Sequence, residues 1–123
     1  MLVDTSVWIN HFRSSNPLLS RLLEDGQVLS HPLILGELAC GNLKGRATIL
    51  KFLGDLPMAK DVTVEETLSM VEERKNYGKG VGLIDFMILA AALITPEAML
   101  WTDDKRLSKQ AELAGKACGP INR

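Results

Sequence analysis

Residues 1–12, with the sequence MLVDTSVWINHF, decide the fold because they join a short apolar strand, a single acid and the start of a helix. Residues 2–3 predict a buried strand that ends at Asp4, and Thr5 and Ser6 follow as residues that can cap a helix. Asp4 is the only charged side chain in this stretch. Because a buried carboxylate is costly unless a cation or a hydrogen-bond donor compensates it, Asp4 is a candidate functional residue.

Three further acids lie in apolar surroundings along the sequence. Glu37 and Asp85 are each the only charged side chain in a long apolar segment. Asp104, with Asp103 directly before it, closes an apolar run that ends in a tryptophan. If these acids converge with Asp4, they form a set of hard oxygen ligands suited to Mg²⁺ or Mn²⁺.

Short apolar strands alternate with helices, which indicates an α/β sandwich around a mainly parallel sheet. We expect strands at residues 2–3, 28–29, 58–62, 98–101 and 116–118, and helices after residue 4 and at residues 18–25, 32–42, 46–53, 64–73, 83–94 and 105–114. Asp4 and Asp104 each follow a strand and precede a helix, so both belong at the carboxyl edge of the sheet, where such folds bind ligands. Glu37 and Asp85 lie on helices that could flank this edge.

Length and composition fit one domain over residues 1–123. The formal net charge of −1, from 14 Lys and Arg against 15 Asp and Glu, gives no overall basic footprint. An acidic metal site would, however, cancel basic residues on its rim. Cys40 and Cys118 form no CxxC pair, which favours two reduced thiols in the cytoplasm. Residues 1–8 lack the basic start of a signal peptide, and residues 81–94 are too short to span a membrane.

The chemistry expected of converging acids is metal-dependent hydrolysis of a phosphodiester, since no Ser-His-Asp or Cys-His grouping is apparent. Two other classes remain open. A phosphatase of the haloacid-dehalogenase type needs a second Asp two residues after Asp4, where this chain has Ser6. A non-catalytic binding module would leave Glu37 and Asp85 unexplained, although Asp4 and the Asp103-Asp104 pair could simply cap helices.

Four stretches of the chain resemble the PIN-domain nucleases, most closely the VapC-type toxins of toxin–antitoxin pairs. These stretches are LVDTSVWI at residues 2–9, HPLILGEL at 31–38, GLID at 82–85 with Ala90-Ala91, and LWTDDKRL at 100–107. The resemblance implies a three-layer α/β/α fold and endoribonuclease activity that depends on Mg²⁺ or Mn²⁺. It also implies a homodimer that acts on RNA and is inhibited by a cognate VapB-type antitoxin.

The resemblance assigns roles to individual residues. The acids that it places in the metal site are Asp4, Glu37, Asp85 and Asp104. Thr102 matches the threonine of the family's T-x-D motif, and Ser6 matches the small hydroxyl residue beside the first acid. The middle position of T-x-D is itself an acid here, so Asp103 is an alternative fourth ligand.

Residues 76–82 form a glycine-rich loop that fails the P-loop pattern, because no Ser or Thr follows its lysine and no strand precedes it. We interpret the loop as a turn that lets the Asp85 helix approach the site. Lys79 could contact an RNA phosphate. Further candidates for a basic groove are Arg13, Lys44, Arg46, Arg74 and Lys75.

Overall fold

The computed structural model describes residues 1–117 of the chain. Its two regular strands, β1 (Leu2–Val3) and β2 (Leu100–Trp101), pair in parallel. The helices of the described part are α1 (Thr5–Arg13), α2 (Pro17–Glu24), α3 (Pro32–Ala39), α4 (Arg46–Gly54), α5 (Val64–Arg74), α6 (Leu83–Ile94) and α7 (Lys105–Leu113). The fold is therefore α/β with a small parallel sheet, as the alternation of strands and helices predicted.

Single parallel bridges extend the pairing on both sides of β1 and β2. Leu29 pairs with Leu2, Met58 with Ser30, and Ala117 with Leu100. The predicted strand at residues 58–62 is therefore reduced to a bridge at Met58. Within the predicted strand, the Asp61 side chain accepts a hydrogen bond from the backbone N–H of Val62. This local bond uses a donor that strand pairing would otherwise need. The predicted strand at 116–118 is seen only at Ala117, and Cys118 lies outside the described residues.

The strands form the centre of the hydrophobic core. β1 and β2 are buried along their whole length, and Trp8 and Trp101 are buried with them. Both tryptophans are therefore core residues. Helix α6 is buried continuously from Phe86 to Ala92, as its nearly uniform apolar sequence predicted. Within residues 1–117, no helix is long and apolar enough to cross a membrane.

Polar side chains begin several of the helices. Asn16 accepts hydrogen bonds from the backbone of Leu18 and Leu19 at the start of α2. His31, which is fully buried, caps α3 by accepting from the N–H of Leu33 through its Nδ1 atom. These caps satisfy backbone donors that a helix leaves unpaired at its first turn, and they fix where α2 and α3 begin.

Candidate active site

Asp4 lies directly after β1 and is only 4% exposed. It stands at the N-cap position of α1, yet its side chain makes no capping hydrogen bond. Instead, Asp4 Oδ2 accepts hydrogen bonds from Thr102 Oγ1 at 2.8 Å and from Ser6 Oγ at 3.0 Å. The carboxylate is thus stabilised by two hydroxyls rather than by a helix start, which argues against a purely capping role.

The same two hydroxyls join the ends of β1 and β2. Thr102 Oγ1 accepts from the backbone N–H of Asp104 at 3.1 Å, and Ser6 Oγ accepts from the backbone N–H of Asp103 at 3.0 Å. We call Asp4, Ser6, Thr102 and Asp104 the strand-end network. Because strands β1 and β2 are neighbours and parallel, their carboxyl ends bring together residues almost a hundred positions apart. The expected capping role of Ser6 is therefore wrong, since its hydroxyl is used by the acid.

Asp104 and Asp103 differ in what their carboxylates contact. Asp104 caps α7, with its Oδ1 atom accepting from the backbone N–H groups of Arg106 and Leu107. Asp103 Oδ2 accepts from Asn10 Nδ2 at 2.8 Å. Asp103 is thus held toward α1 by an amide that sequence reasoning did not single out.

Glu37 lies on α3 and is exposed, although its neighbours in the sequence are apolar. The burial that its surroundings suggested is therefore wrong: a helix turns successive residues to different sides, and only Ile34 and Leu38 of α3 are buried. Glu37 Oε1 accepts a hydrogen bond from Thr5 Oγ1 at 2.6 Å. Thr5, which was expected to cap α1, instead ties Glu37 to the first turn of α1.

Asp85 lies in the first turn of α6, where the charges of the other three acids act on it. Its partial burial and the charges of Asp4, Asp104 and Glu37 together raise the pKa of its carboxyl from 3.8 to about 6. Burial is the largest of these causes. Asp103 is not among the charges that raise this pKa. Asp4, Glu37 and Asp104 therefore each lie close enough to Asp85 to act on its charge, and we call these four residues the acidic region, whereas Asp103 makes a separate contact with Asn10.

The donor chemistry of this region fits a hard divalent cation. Within residues 1–117, the second oxygens of Asp4, Asp104 and Glu37 accept no hydrogen bond, so they are available as ligands. Yet no three acidic, imidazole or thiol groups in the described part are placed to hold one ion directly. These findings are compatible because Mg²⁺ commonly keeps several waters and takes only one or two protein carboxylates.

A groove of about 390 Å³ opens beside the acids, and Glu37 is one of its lining residues. The apolar residues that line it are Ile9, Phe12, Leu38, Leu43 and Ile49. Arg13 and Lys44, two of the predicted basic groove residues, also line it. The groove therefore combines an apolar surface with charges of both signs at the edge of the acidic region.

The chain matches a known family along nearly its whole described length. The family model described as the PIN domain covers residues 1–113. Two relatives, both named Ribonuclease VapC32, come from the Mycobacterium tuberculosis strains CDC 1551 / Oshkosh and ATCC 25618 / H37Rv. Each is 40% identical over 117 residues, which cover 95% of this chain and 94% of the relative. The resemblance found in the sequence motifs is confirmed, and the chain belongs to the PIN domain family, among its VapC-type members.

Proposed function

We propose that this chain is an endoribonuclease that acts as the toxin of a toxin–antitoxin pair. The observation that carries the proposal is the meeting of Asp4 and Asp104 at the strand ends through Ser6 and Thr102, with Glu37 bound to the adjoining Thr5. The charges of these acids also act on Asp85. Relatives of similar length that are named ribonucleases support the choice of RNA as the substrate. The active unit would be one PIN-like nuclease domain over residues 1–123, with helices on both faces of the sheet. RNA and an antitoxin as partners would place it in the cytoplasm.

The residues proposed to hold Mg²⁺ or Mn²⁺ are Asp4, Glu37, Asp85 and Asp104. When bound, such a cation would polarise the scissile phosphate and lower the pKa of a water molecule that attacks it. The chain's own contribution is to hold its carboxylates in place beforehand. One oxygen of Asp4 is fixed by two hydroxyls, and one oxygen of Asp104 is fixed by two backbone amides. Such supporting contacts orient metal ligands and reduce the cost of reorganisation during the reaction.

The groove beside Glu37 suggests how an antitoxin would stop the reaction. An antitoxin segment with apolar side chains could occupy the groove and place an Arg or Lys against the acids, where it would compete with the metal. We propose a small VapB-type antitoxin as this partner, and a homodimer as the assembly that it binds. Added antitoxin should then suppress cleavage.

RNA cleavage by purified variants tests the proposed function. The wild-type chain should cleave total cellular RNA in Mg²⁺ and lose this activity in EDTA. We expect Asp85→Asn to lower the rate by at least about a hundredfold while the protein stays folded, because the amide keeps the shape and removes the charge. Asp25→Asn, at an exposed acid after α2, is the matched control and should cleave normally. A folded Asp85→Asn variant with EDTA-sensitive activity near the wild-type rate would contradict the assignment.

The same assay separates the two candidates for the fourth acid. Asn is a good helix cap, so Asp104→Asn should preserve α7 while removing a negative charge near Asp85. Asp103→Asn keeps an oxygen that can accept from Asn10. We expect the Asp104 variant to lose far more activity than the Asp103 variant, and the reverse order would assign the fourth ligand to Asp103.

The other function classes make different predictions for this assay. A non-catalytic PIN-like binding module would bind RNA without cleaving it in any metal. A phosphate-ester hydrolase of another class would act on small phosphate monoesters instead of RNA. The hydroxyl of Ser6 donates to Asp4, so the place where a haloacid-dehalogenase phosphatase needs its second acid is occupied by a supporting group.

A further inference from the structure

A second, basic pocket lies away from the acids, between the end of α5, the glycine-rich loop and α7. Its volume is about 380 Å³, and its lining residues are Arg74, Lys75, Asn76, Lys79, Gln110 and Leu113. Half of these residues are cationic and none is acidic. The pocket therefore has the charge of a site for an anion, in contrast to the acidic region at the other end of α7.

Asn76 is the feature that sets this pocket apart from an ordinary basic surface. The residue is only 7% exposed, and its buried Oδ1 atom has no hydrogen-bond partner within residues 1–117. Gln110, which is 6% exposed, adds a second amide whose side chain makes no hydrogen bond in the described part of the chain. Buried amides are normally paired, so an unpaired one at a pocket wall is costly unless a ligand supplies its partner.

Helix α7 connects this pocket to the acidic region. Asp104 caps the helix, while Arg106, Gln110 and Leu113 follow on it at spacings of four and three, which place them on one face. Gln110 lies about 9 Å along the axis from Asp104 at the usual rise of a helix. The Arg106 guanidinium also reaches the glycine-rich loop, where its Nη1 lies 3.5 Å from the carbonyl oxygen of Gly80.

Gly80 favours this contact, because L side chains rarely adopt its positive φ and a Cβ there would force the flexible Arg106 side chain to shift. This glycine has a φ of 77°, and a Cβ at its position would lie 2.9 Å from Arg106 Nη1. The loop therefore packs closely over the helix face. Arg106 thus lies on the helix face between Asp104 and the pocket, and Lys75 and Lys79 line the pocket itself.

We propose that this basic pocket binds one nucleotide of the RNA substrate, to one side of the bond that is cleaved. The proposal rests on the proposed ribonuclease function and deepens it. The lysines and Arg74 would neutralise phosphates of the strand, and the unpaired amides of Asn76 and Gln110 would hydrogen-bond the edge of a base. The acids repel RNA unless the proposed cation is bound, so a separate basic site explains how a chain of net charge −1 would hold a polyanion.

The substitution Asn76→Leu distinguishes a binding residue from a structural one. Leu has the same branching and the same number of side-chain heavy atoms, and it removes a buried acceptor that has no partner, so the melting temperature of the free protein should stay the same or rise. The affinity for a fluorescent single-stranded RNA of random sequence and about twelve nucleotides, measured in EDTA to prevent cleavage, should fall several-fold. A fall in both melting temperature and affinity would indicate a structural role and overturn the assignment of Asn76.

A double variant tests the pocket even if Asn76→Leu fails to fold. Lys75→Gln with Lys79→Gln changes exposed side chains and should weaken binding of the same RNA about tenfold, with a smaller dependence on salt. In cleavage assays the KM should rise and the kcat should stay the same. Lys51→Gln with Lys60→Gln removes the same charge from residues outside the pocket and is the matched control.

The outcomes separate failure of the subsite from failure of the proposed function. If the wild type cleaves RNA and the Lys75 and Lys79 variant binds it as tightly as the control, only the subsite is overturned. If the variant keeps its RNA affinity but loses binding of a polyglutamate peptide, the pocket is a peptide site and the subsite is again overturned. A wild type that neither binds nor cleaves RNA overturns both proposals.

Discussion

The acids at the strand ends and the acids on the helices are held in different ways. Asp4 and Asp104 follow β1 and β2, and each has one oxygen fixed by two hydrogen bonds from hydroxyls or backbone amides. Glu37 is exposed and has a single bond to Thr5, and the Asp85 side chain accepts no hydrogen bond within residues 1–117. We call Asp4 and Asp104 the fixed half of the proposed site, because hydrogen bonds hold their oxygens, and Glu37 and Asp85, which have fewer such bonds, its adjustable half.

The largest stability effect should come from the fixed half. In Thr102→Val, the buried Asp4 carboxylate loses its shorter hydroxyl donor, and the backbone N–H of Asp104 loses its acceptor. Because Val fills the same volume, the cost is that of unpaired polar groups, about 2 kcal/mol in the free energy of unfolding. Chemical denaturation measures it. Thr48→Val, at an exposed position of α4, is the control and should change the stability little.

The carboxylate of Asp85 should destabilise the fold, so its removal should raise the free energy of unfolding, by less than Thr102→Val lowers it. Its pKa is raised from 3.8 to about 6, so the folded chain binds a proton more tightly than the unfolded chain does. The free energy of unfolding should therefore fall as the pH rises through this interval and stay low above it. The shift corresponds to a ceiling of about 3 kcal/mol, and screening by solvent reduces the expected effect to about 1 kcal/mol.

Comparing the pH dependence of the wild type with that of Asp85→Asn isolates this contribution. The variant lacks the titrating group, so without metal it should be about 1 kcal/mol more stable than the wild type at pH 7 and equally stable near pH 3. Denaturation midpoints in EDTA over this range provide the measurement. A variant that is less stable at pH 7 would mean that contacts stabilise the Asp85 carboxylate more than burial and neighbouring charge destabilise it.

The smallest effect is expected at the contact between Thr5 and Glu37. Thr5→Val removes the hydroxyl that Glu37 accepts, but Glu37 is exposed and water can replace the donor. The stability should change by less than about 0.5 kcal/mol, and RNA cleavage should fall only several-fold as Glu37 loses its orientation. A stability loss as large as that of Thr102→Val would remove the distinction between the two halves of the site.

The sequence predicts the fixed half better than the adjustable half, for a physical reason. An apolar strand followed by an acid and hydroxyl residues is a local pattern, and parallel pairing then brings Asp4 and Asp104 to one edge of the sheet. Glu37 and Asp103 instead contact side chains that are far away in the sequence, Thr5 and Asn10. No local sequence pattern predicts such contacts. An apolar neighbourhood in the sequence also cannot distinguish a buried acid from one on the outer face of a helix, as Glu37 illustrates.

The same limits apply to the rest of the fold. The helices predicted at residues 46–53 and 83–94 agree with α4 and α6 to within one residue, and α6 is buried as its apolar composition suggests. The outer strands were overestimated, because a pairing at the edge of a small sheet can be confined to one residue, as at Met58 and Ala117. The unpaired amide of Asn76 gave no signal in the sequence, since only the folded chain shows that its partner is missing.

The titration of the Asp85 carboxyl tests the central claim, that four acids form one site, most directly. Carboxyl carbon chemical shifts followed by NMR should give a pKa of about 6 in the metal-free protein. Asp4→Asn should lower this pKa, because it removes a neighbouring negative charge, and added Mg²⁺ should lower it further. Asp25→Asn should leave it unchanged. A pKa near 3.8 that responds to neither Asp4→Asn nor Mg²⁺ would contradict the account, because Asp85 would then share no site with the other acids.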